Sequence, residues 1–426
     1  MSTLKAVRGT RDLLPPETAL WNRIEATARA VFARYNFGEI RTPVFEDTSL
    51  FARGVGEETD IVSKEMYTWE DRARAQSEKT QSLTLRPENT AGVVRSYIEH
   101  GLGESGQLQK IYYIGPQFRR ERPQKGRYRQ FSQIGAEVIG PVTAGSESPL
   151  RDAEVLEMLA TLLDELGITG WTLNLNSVGS SADRARYNET LRAALVPVVS
   201  RMCVDCQRRA ETNPLRVLDC KVPADQPIIE TLPMIADSLD EESKAHFAEV
   251  TAALDAAGVP YTRNHRLVRG LDYYTRTTFE FTHGGLGAQN ALLGGGRYDG
   301  LSEMLGGPRA PGIGFAMGED RLVLTLLAQE LAPPQVADAY IAPLGESENA
   351  AALALARELR REGLRIELGE GSFRLKKSFE TADKTARQIV ILGEDELKSG
   401  ILTVKNFSTG VQTKVPRAEL AAFLAK

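Results

Sequence analysis

Between Arg119 and Arg127 the chain places five cations, Arg119, Arg120, Arg122, Lys125 and Arg127, around a single carboxylate, Glu121. The strand-like run Tyr128–Ile139 that follows puts Arg129, Phe131, Gln133, Gly135 and Glu137 on one face if its side chains alternate. The run before it, Lys110–Glu121, puts Gln117, Arg119 and Glu121 on one face in the same way. An aromatic ring, an amide, a carboxylate and guanidinium groups on one floor suit a ligand with an aromatic base, phosphates and a polar head. Taken alone, such a basic loop is more often a solvated, charged hairpin, a reading weakened by Gln133 and Glu137 facing the same way as Phe131. A second stretch is Gly312-Ile-Gly-Phe-Ala-Met-Gly-Glu-Asp-Arg321. Its glycines allow close backbone approach to a flat ligand, and Arg321 in the first turn of a following helix favours phosphate. Read alone it is a tight strand-to-helix turn. Neither the P-loop spacing nor the dinucleotide fingerprint is present.

Positioning these groups requires a framework. Pro15-Pro16 opens onto Leu20, Trp21, Ile24, Ala28, Val31, Phe32 and Tyr35, the apolar face of a helix that closes near Gly38. Glu39–Phe45, interrupted by Pro43, reads as an edge or kinked strand. A helix is predicted over Gly92–His100, then an antiparallel hairpin from the two runs around the basic loop. From about Gly179 to Gly258 helices and polar connections replace the alternation. Strand texture returns at Arg276–His283 and in Leu293-Gly-Gly-Gly-Arg-Tyr298. The fold class is therefore α+β, with a mainly antiparallel sheet and a helical insertion. Its parts are residues 1–178 and 259–330 as one domain, 179–258 as the insertion, and 338–426 as a small α/β domain beyond a linker at Gln329–Ala337. That last part alternates helix (Ala350–Glu362), strand (Arg365–Leu368), helix (Phe373–Ala386) and strand (Ile389–Leu392), and ends in a hairpin about Ser408-Thr-Gly410.

Composition bounds the class. With 426 residues, 42% hydrophobic and 26% charged, the chain has the make-up of a soluble globular protein of two or three domains. No apolar run approaches the ~20 residues of a membrane span. The opening MSTLKAVRGTRDLLPP carries no secretory pattern, and three cysteines fit a reducing compartment, so a cytoplasmic location is expected. The net charge of −5 does not itself suggest a nucleic-acid partner; residues 338–426, with 14 Lys/Arg against 13 Asp/Glu, are only slightly less acidic than the rest.

The helix and strand ending at Thr42-Pro43, the block Phe118-Arg-Arg-Glu121 with its loop and return strand, and the block ending Gly318-Glu-Asp-Arg321 resemble, in order, the three signature motifs of class II aminoacyl-tRNA synthetases. Leu267-Val-Arg-Gly-Leu-Asp-Tyr-Tyr274 and Gly294-Gly-Gly-Arg-Tyr-Asp299 narrow the resemblance to the histidyl-tRNA synthetases of bacterial type. The likeness spans nearly the whole chain, and the tail Leu402–Gly410 is similar to that family's anticodon-binding domain. Asn89 in Arg-Pro-Glu-Asn-Thr stands where the family pattern leads one to expect glycine.

The resemblance implies ATP-dependent ligation of L-histidine to tRNA(His) through a histidyl-adenylate, by a cytoplasmic homodimer that does not engage a membrane, with Mg2+ on the outer phosphates. It implies that Arg119 holds the α-phosphate and Arg321 the γ-phosphate, with Glu121 and Arg127 also at ATP and Phe131 stacked on adenine. Arg269 is expected between the substrate carboxylate and the α-phosphate, which with Arg119 makes it catalytic. Glu88, Thr90 and Gln133 are expected at the ammonium group. Glu137 and Tyr274 are expected at the imidazole, with Tyr273 and Tyr298 nearby. A regulatory paralogue serving the first enzyme of histidine biosynthesis is the rival; that type lacks the C-terminal domain and the catalytic arginines, and here both are present. Finally, Cys203-Val-Asp-Cys206 and Cys220 invite a zinc reading, but structural zinc takes four ligands. No fourth cysteine exists and His246 lies well downstream, so a knuckle without metal is expected.

Overall fold

The computed structural model describes residues 4–57, 59–71, 80–124, 126–286, 290–329 and 336–425. They form two compact units, Met1–Ala332 and Pro333–Lys426. The linker expected around Pro333-Pro334 lies mostly in 330–335, outside the described residues, as does Lys125 of the basic loop.

The first unit opens with α1 (Glu17–Arg34), β1 (Gly38–Glu39), β2 (Phe45–Asp47), α2 (Thr48–Val55), β3 (Tyr67–Asp71), β4 (Gln81–Leu85) and α3 (Thr90–Glu99). The hairpin β5 (Gln109–Phe118) and β6 (Gln130–Ile139) follows, then α4 (Pro149–Glu165) and β7 (Trp171–Ser177). Next come the helices α5 (Ser181–Leu195), α6 (Val204–Thr212), α7 (Gln226–Ile229) and α8 (Glu241–Ala257). The unit closes with β8 (Thr262–Arg263), β9 (Thr275–His283), β10 (Ala291–Arg297), α9 (Leu301–Met304), β11 (Gly312–Gly318) and α10 (Glu319–Ala328).

Eight strands make one sheet in the order β1-β5-β6-β11-β10-β9-β7-β8. Only the short edge strands pair in parallel, β1 with β5 and β8 with β7. The hairpin register sets Gln117 opposite Phe131, Gly115 opposite Gln133 and Tyr113 opposite Gly135. One face of the sheet is apolar: Tyr112, Ile134, Ala136, Val138, Phe279, Phe281, Ile313 and Phe315 pack with α1, α4 and α10 into the main core. α1 buries the predicted stripe Leu20, Trp21, Ile24, Ala28, Val31 and Phe32. α4 starts as its residues dictate, with Pro149 in the first turn and Ser148 Oγ accepting from Leu150 N at 3.3 Å. The other face of the sheet is left for chemistry.

Two strand expectations are corrected. The run Glu39–Phe45 is not one strand: β1 pairs with β5, while β2 joins a separate sheet, β2-β4-β3. Pro43 between them has no N–H to give a ladder and bars its predecessor from the helical region, so the chain changes sheet there. The hairpin strands end sooner than Glu121 and begin later than Tyr128. The last rung is Arg119 N to Arg129 O, after which Arg120 N donates to Glu65 O and Arg129 N to Gly9 O.

Within 179–258, α5, α6 and α7 share a core of their own, including Tyr187, Leu191, Cys206, Cys220 and Ile229, which also takes in Val268. α5 starts with a capping box between Ser180 and Asp183. α8, by contrast, puts Val250 and Leu254 into the main core.

The second unit carries β12 (Ala337–Pro343), α11 (Asn349–Arg361), β13 (Ile366–Leu368), α12 (Leu375–Thr385), β14 (Ala386–Leu392), α13 (Glu394–Ser399), β15 (Ile401–Asn406), β16 (Gln412–Pro416) and α14 (Leu420–Leu424). Its sheet runs β13-β12-β14-β15-β16, parallel at β13-β12-β14 and antiparallel beyond. α11 and α14 bury Leu355, Leu359, Leu420 and Leu424 against it.

One ion pair lies wholly inside the first unit. Arg297 and Asp152 are both fully buried; Arg297 Nε donates to both Asp152 oxygens at 3.1 and 3.2 Å, and Nη1 to Ser146 O at 2.8 Å. Removing one partner of a buried pair strands the other charge, which costs about 3–5 kcal/mol. Asp152→Ala leaves Arg297 with Asp299 at 3.1 Å as its carboxylate partner and should lower the free energy of unfolding by up to that order, while Asp152→Ala with Arg297→Met recovers much of it. Equal losses in the single and double variants would contradict this.

Candidate active site

The sheet face turned away from the main core floors a cavity of about 1270 Å³. Period-2 alternation delivers Phe131 and Gln133 from β6 to it. The turn after β5 delivers Arg119, Glu121 and Arg127; the segment before β9 delivers Arg269, Tyr273 and Tyr274; and the first turn of α10 delivers Arg321. Glu88 and Thr90 enter from the start of α3. Of the residues assigned to ATP or histidine, Glu137 and Tyr298 do not line it, and of the expected floor Gln117, which is 0% exposed, and Arg129 do not either. Glu137 and Tyr298 lie behind its wall, 0% and 1% exposed.

Each group is held. Glu88 accepts from Thr90 N at 2.8 Å and Ala91 N at 3.0 Å, satisfying two orphan donors of α3. Burial pushes its carboxyl up, against those backbone bonds. Asn89, the departure from the family pattern, accepts from Thr42 Oγ1 at 2.6 Å and stays out of the cavity lining. Glu137 takes one hydroxyl on each oxygen, Tyr298 at 2.7 Å and Thr90 at 2.8 Å. The Glu137 side chain lies over Gly314, where any Cβ would overlap Oε2. On the next strand a Cβ at Gly294 would meet the Arg269 guanidinium at 2.6 Å. The glycine-rich stretches are thus strand segments with room left for functional side chains, and the tight-turn reading of Gly312–Met317 is set aside: the backbone there is β11.

The cations share the cavity with carboxylates set against some of them. Arg119 lies over the Phe131 ring at 5.3 Å and donates through Nε to Pro87 O at 2.8 Å. Glu121 faces Arg127 at 3.2 Å and Arg119 at 3.8 Å. Arg321 donates to Ala291 O at 2.6 Å. Burial first, then the charges of Arg127 and Arg119, push its pKa down, with Glu280 and Glu121 opposing. Arg269 pairs with Glu280 at 2.8 Å. Burial lowers its pKa, but Tyr274, Glu280 and Asp219 raise it by more. Mutually repelling guanidinium groups around a cavity are stabilised by an anion between them, and phosphate suits that geometry.

Some functional neighbours escaped the sequence reading. Glu280, on β9, aims Arg269; Tyr113, opposite Gly135, lines the cavity, and burial drives its phenol pKa well up. Alternation along β9 and β5 could have found both. Arg129 departs from the expected floor: its guanidinium donates to Arg8 O at 3.2 Å, serving the N-terminal segment. His246 is not near the cysteines either. It sits in the main body, 3.6 Å from Asp152. The residue that does close on Cys203, Cys206 and Cys220 is Asp225.

The comparisons with known proteins agree along the chain. The family model described as Histidyl-tRNA synthetase matches residues 9–322, and one described as Anticodon binding domain matches 338–426. A histidine–tRNA ligase of Koribacter versatilis (strain Ellin345) is 72% identical over 99% of this chain and 96% of its own length. One from Solibacter usitatus (strain Ellin6076) is 57% identical over 99% of both. Apo histidyl-tRNA synthetase of S. aureus, a crystal structure, superposes with a TM-score of 0.77 at 38% identity, covering 100% of each chain.

The buried Glu137 makes a pH signature. Burial pushes its carboxyl from the ordinary 4.5 to about 8, against the bonds from Tyr298 and Thr90. A raised folded-state pKa favours the neutral form. Its stabilisation is whole below pH 4.5 and is lost as pH rises through about 8. Glu137→Gln, always neutral, escapes that loss. Denaturant titrations across this window should show wild type losing stability relative to the variant as pH rises; a gap that does not change with pH would refute the assignment.

Proposed function

The chain belongs to the histidyl-tRNA synthetase family; it charges tRNA with histidine, and we propose that it does so through a histidyl-adenylate made from ATP in the cavity just described. The observation that carries this reading is that Arg119 and Arg127 from the turn after β5, Arg269 from the segment before β9 and Arg321 from α10 line one cavity beside the aromatic ring of Phe131. The first half-reaction drives one anion, the histidine carboxylate, at another, the α-phosphate. Fixed cations must offset that repulsion and hold the attack in line. Arg119 holds the α-phosphate, Arg321 the γ-phosphate, and Phe131 stacks on adenine, with Glu121 and Arg127 completing the ATP site. Arg269, steadied by Glu280, bridges the substrate carboxylate and the α-phosphate; its planar, permanently charged fork can donate to both in a fixed geometry, for which lysine is a poor substitute. Pyrophosphate leaves, and a terminal ribose hydroxyl of tRNA then takes the acyl group.

For the amino acid, Glu88, Thr90 and Gln133 accept from the ammonium group. Tyr274 reads the imidazole from the cavity wall, and Glu137, buried behind that wall, acts on the pocket through the hydroxyls of Tyr298 and Thr90, with Tyr273 packed alongside; the Glu137 bond to Thr90 ties the two ends of that pocket together. Polar reading of this kind rejects analogues lacking the group on the order of 10⁴-fold. Glu121 and Glu280 are oxygen donors of the type Mg2+ takes, each already beside an arginine, and fit a metal that keeps most of its water. Bound there with ATP, magnesium supplies neutralisation of the outer phosphates. Residues 338–426 are proposed to bind the tRNA anticodon, and the helix α1 and the strand after it to pair two copies into a homodimer acting in the cytoplasm. The regulatory alternative is not favoured, since ligase relatives match 99% of the chain.

Arg269→Ala should nearly abolish histidine-dependent ATP–pyrophosphate exchange while ATP and histidine still bind, because the cation matters most as charge shifts in the transition state. Near-normal exchange would sink the assignment. Ending the chain at about residue 334 should spare exchange, provided the dimer survives, and sharply reduce aminoacylation. Undiminished charging by the shortened protein would remove the anticodon role from the tail.

A further inference from the structure

The insertion holds a cluster that the charging reaction does not use. Cys203, Cys206 and Cys220 are all free thiols, and each offers a sulfur within 4.8 Å of the others and of an Asp225 carboxylate oxygen. Cys203 Sγ and Cys220 Sγ are 3.9 Å apart, and Cys220 Sγ lies 3.2 Å from Asp225 Oδ2. Around a tetrahedral zinc with Zn–S of about 2.3 Å, two sulfurs stand about 3.8 Å apart and a sulfur and an oxygen about 3.5 Å apart. The Cys203–Cys220 and Cys220–Asp225 separations are thus close to edges of that tetrahedron, and the remaining pairs lie within 4.8 Å.

Their surroundings suit a cation. Asp225 is 1% exposed, Cys206 0% and Cys220 5%. Among the described residues no ion pair to Asp225 is formed; its oxygens take Cys203 N at 3.1 and 3.2 Å and the Cys220 thiol. A buried carboxylate without a cation is costly, and three thiols around it supply what a divalent metal lacks. Cys203 and Cys206 occupy the N-cap and third position of α6, a nine-residue helix, beside the N–H groups its first turn leaves unpaired. Val222 N points at Cys220 Sγ at 3.4 Å, a further donor to offset sulfur charge.

We propose that Cys203, Cys206, Cys220 and Asp225 bind one structural Zn2+ per chain. Three sulfurs and one oxygen in a tetrahedron select zinc over the hard cations, and four protein ligands close the site to substrate. The metal staples two turns of the insertion that share a core with Val268, the residue before Arg269. It thereby stiffens the stretch Leu218–Lys221 that lines the cavity alongside Arg269. The assignment of the four ligands does not depend on the activity of the enzyme.

The full chain, produced with zinc in the medium and purified under reducing conditions without chelator, should carry one zinc by elemental analysis. Cys220→Ser and Asp225→Asn should lose it while the far-ultraviolet circular dichroism is kept. A measurement on the unaltered chain guards against misfolded variants. One equivalent of Co2+ added to chelator-treated protein should give the intense visible bands of tetrahedral cobalt with thiolate charge transfer, and should protect the cysteines from a thiol reagent. The proposal fails if the reduced chain takes up no zinc or cobalt stoichiometrically. It fails equally if Cys203→Ser and Cys220→Ser both keep a full equivalent, or if the native protein carries a Cys203–Cys220 disulfide.

Discussion

Glu137 can cross β11 and Arg269 can cross β10 only because Gly314 and Gly294 have no side chain to stop them. A β-sheet ordinarily fills its faces with Cβ atoms at close spacing, which leaves no depth for a guanidinium or a buried carboxylate. By omitting them at these two places the sheet gains hollows while its ladder stays intact, with Gly294 still paired to Ala316 and Gly314 to Glu137. The other arrangements follow from that space: the hydroxyls of Tyr298 and Thr90 converge on Glu137, and Glu280, directly opposite Gly294 on β9, reaches Arg269. A methyl group at either glycine would displace a charged side chain rather than a flexible apolar one.

The net charge of −5 and the cationic cavity are compatible because affinity for phosphate is local. Two of the carboxylates lining the site are placed beside its arginines, Glu121 between two of them and Glu280 against Arg269. Such pairing keeps the forks oriented before substrate arrives, so that less reorganisation accompanies the reaction.

What was legible in the sequence had either a period or a fixed spacing. Alternation in β6 was enough to set Phe131, Gln133 and Glu137 on one face, and the apolar stripe of α1 was readable from Leu20 to Phe32. The ends of the hairpin were not, because Arg120 and Arg129 give their N–H groups to Glu65 and Gly9, distant residues that no local pattern announces. α4 also went unremarked, although Ser148-Pro149 and its many apolar positions signal a buried helix. Asp225 was overlooked for another reason: an aspartate in irregular chain looks like any surface acid, and only the fold reveals it as 1% exposed. Its place five residues after Cys220 was the one hint. Which glycines made room, and for which side chains, could be seen only once β9, β10 and β11 stood side by side.

The order of strands has a consequence for synthesis. β6, carrying half of the floor, pairs on its far side with β11, so that Ile139 waits for Gly312. At the ~5–20 residues per second of translation that wait is on the order of 10–35 s. During it β1, β5 and β6 stand as a three-stranded piece whose β6 edge leaves N–H and C=O groups unpaired, a form that invites mispairing with other chains. Everything between, from α4 to β10, must be made and kept from interfering before the central seam of the sheet can close. A ribosome that stalls within the insertion therefore holds an adhesive half-sheet and no active site.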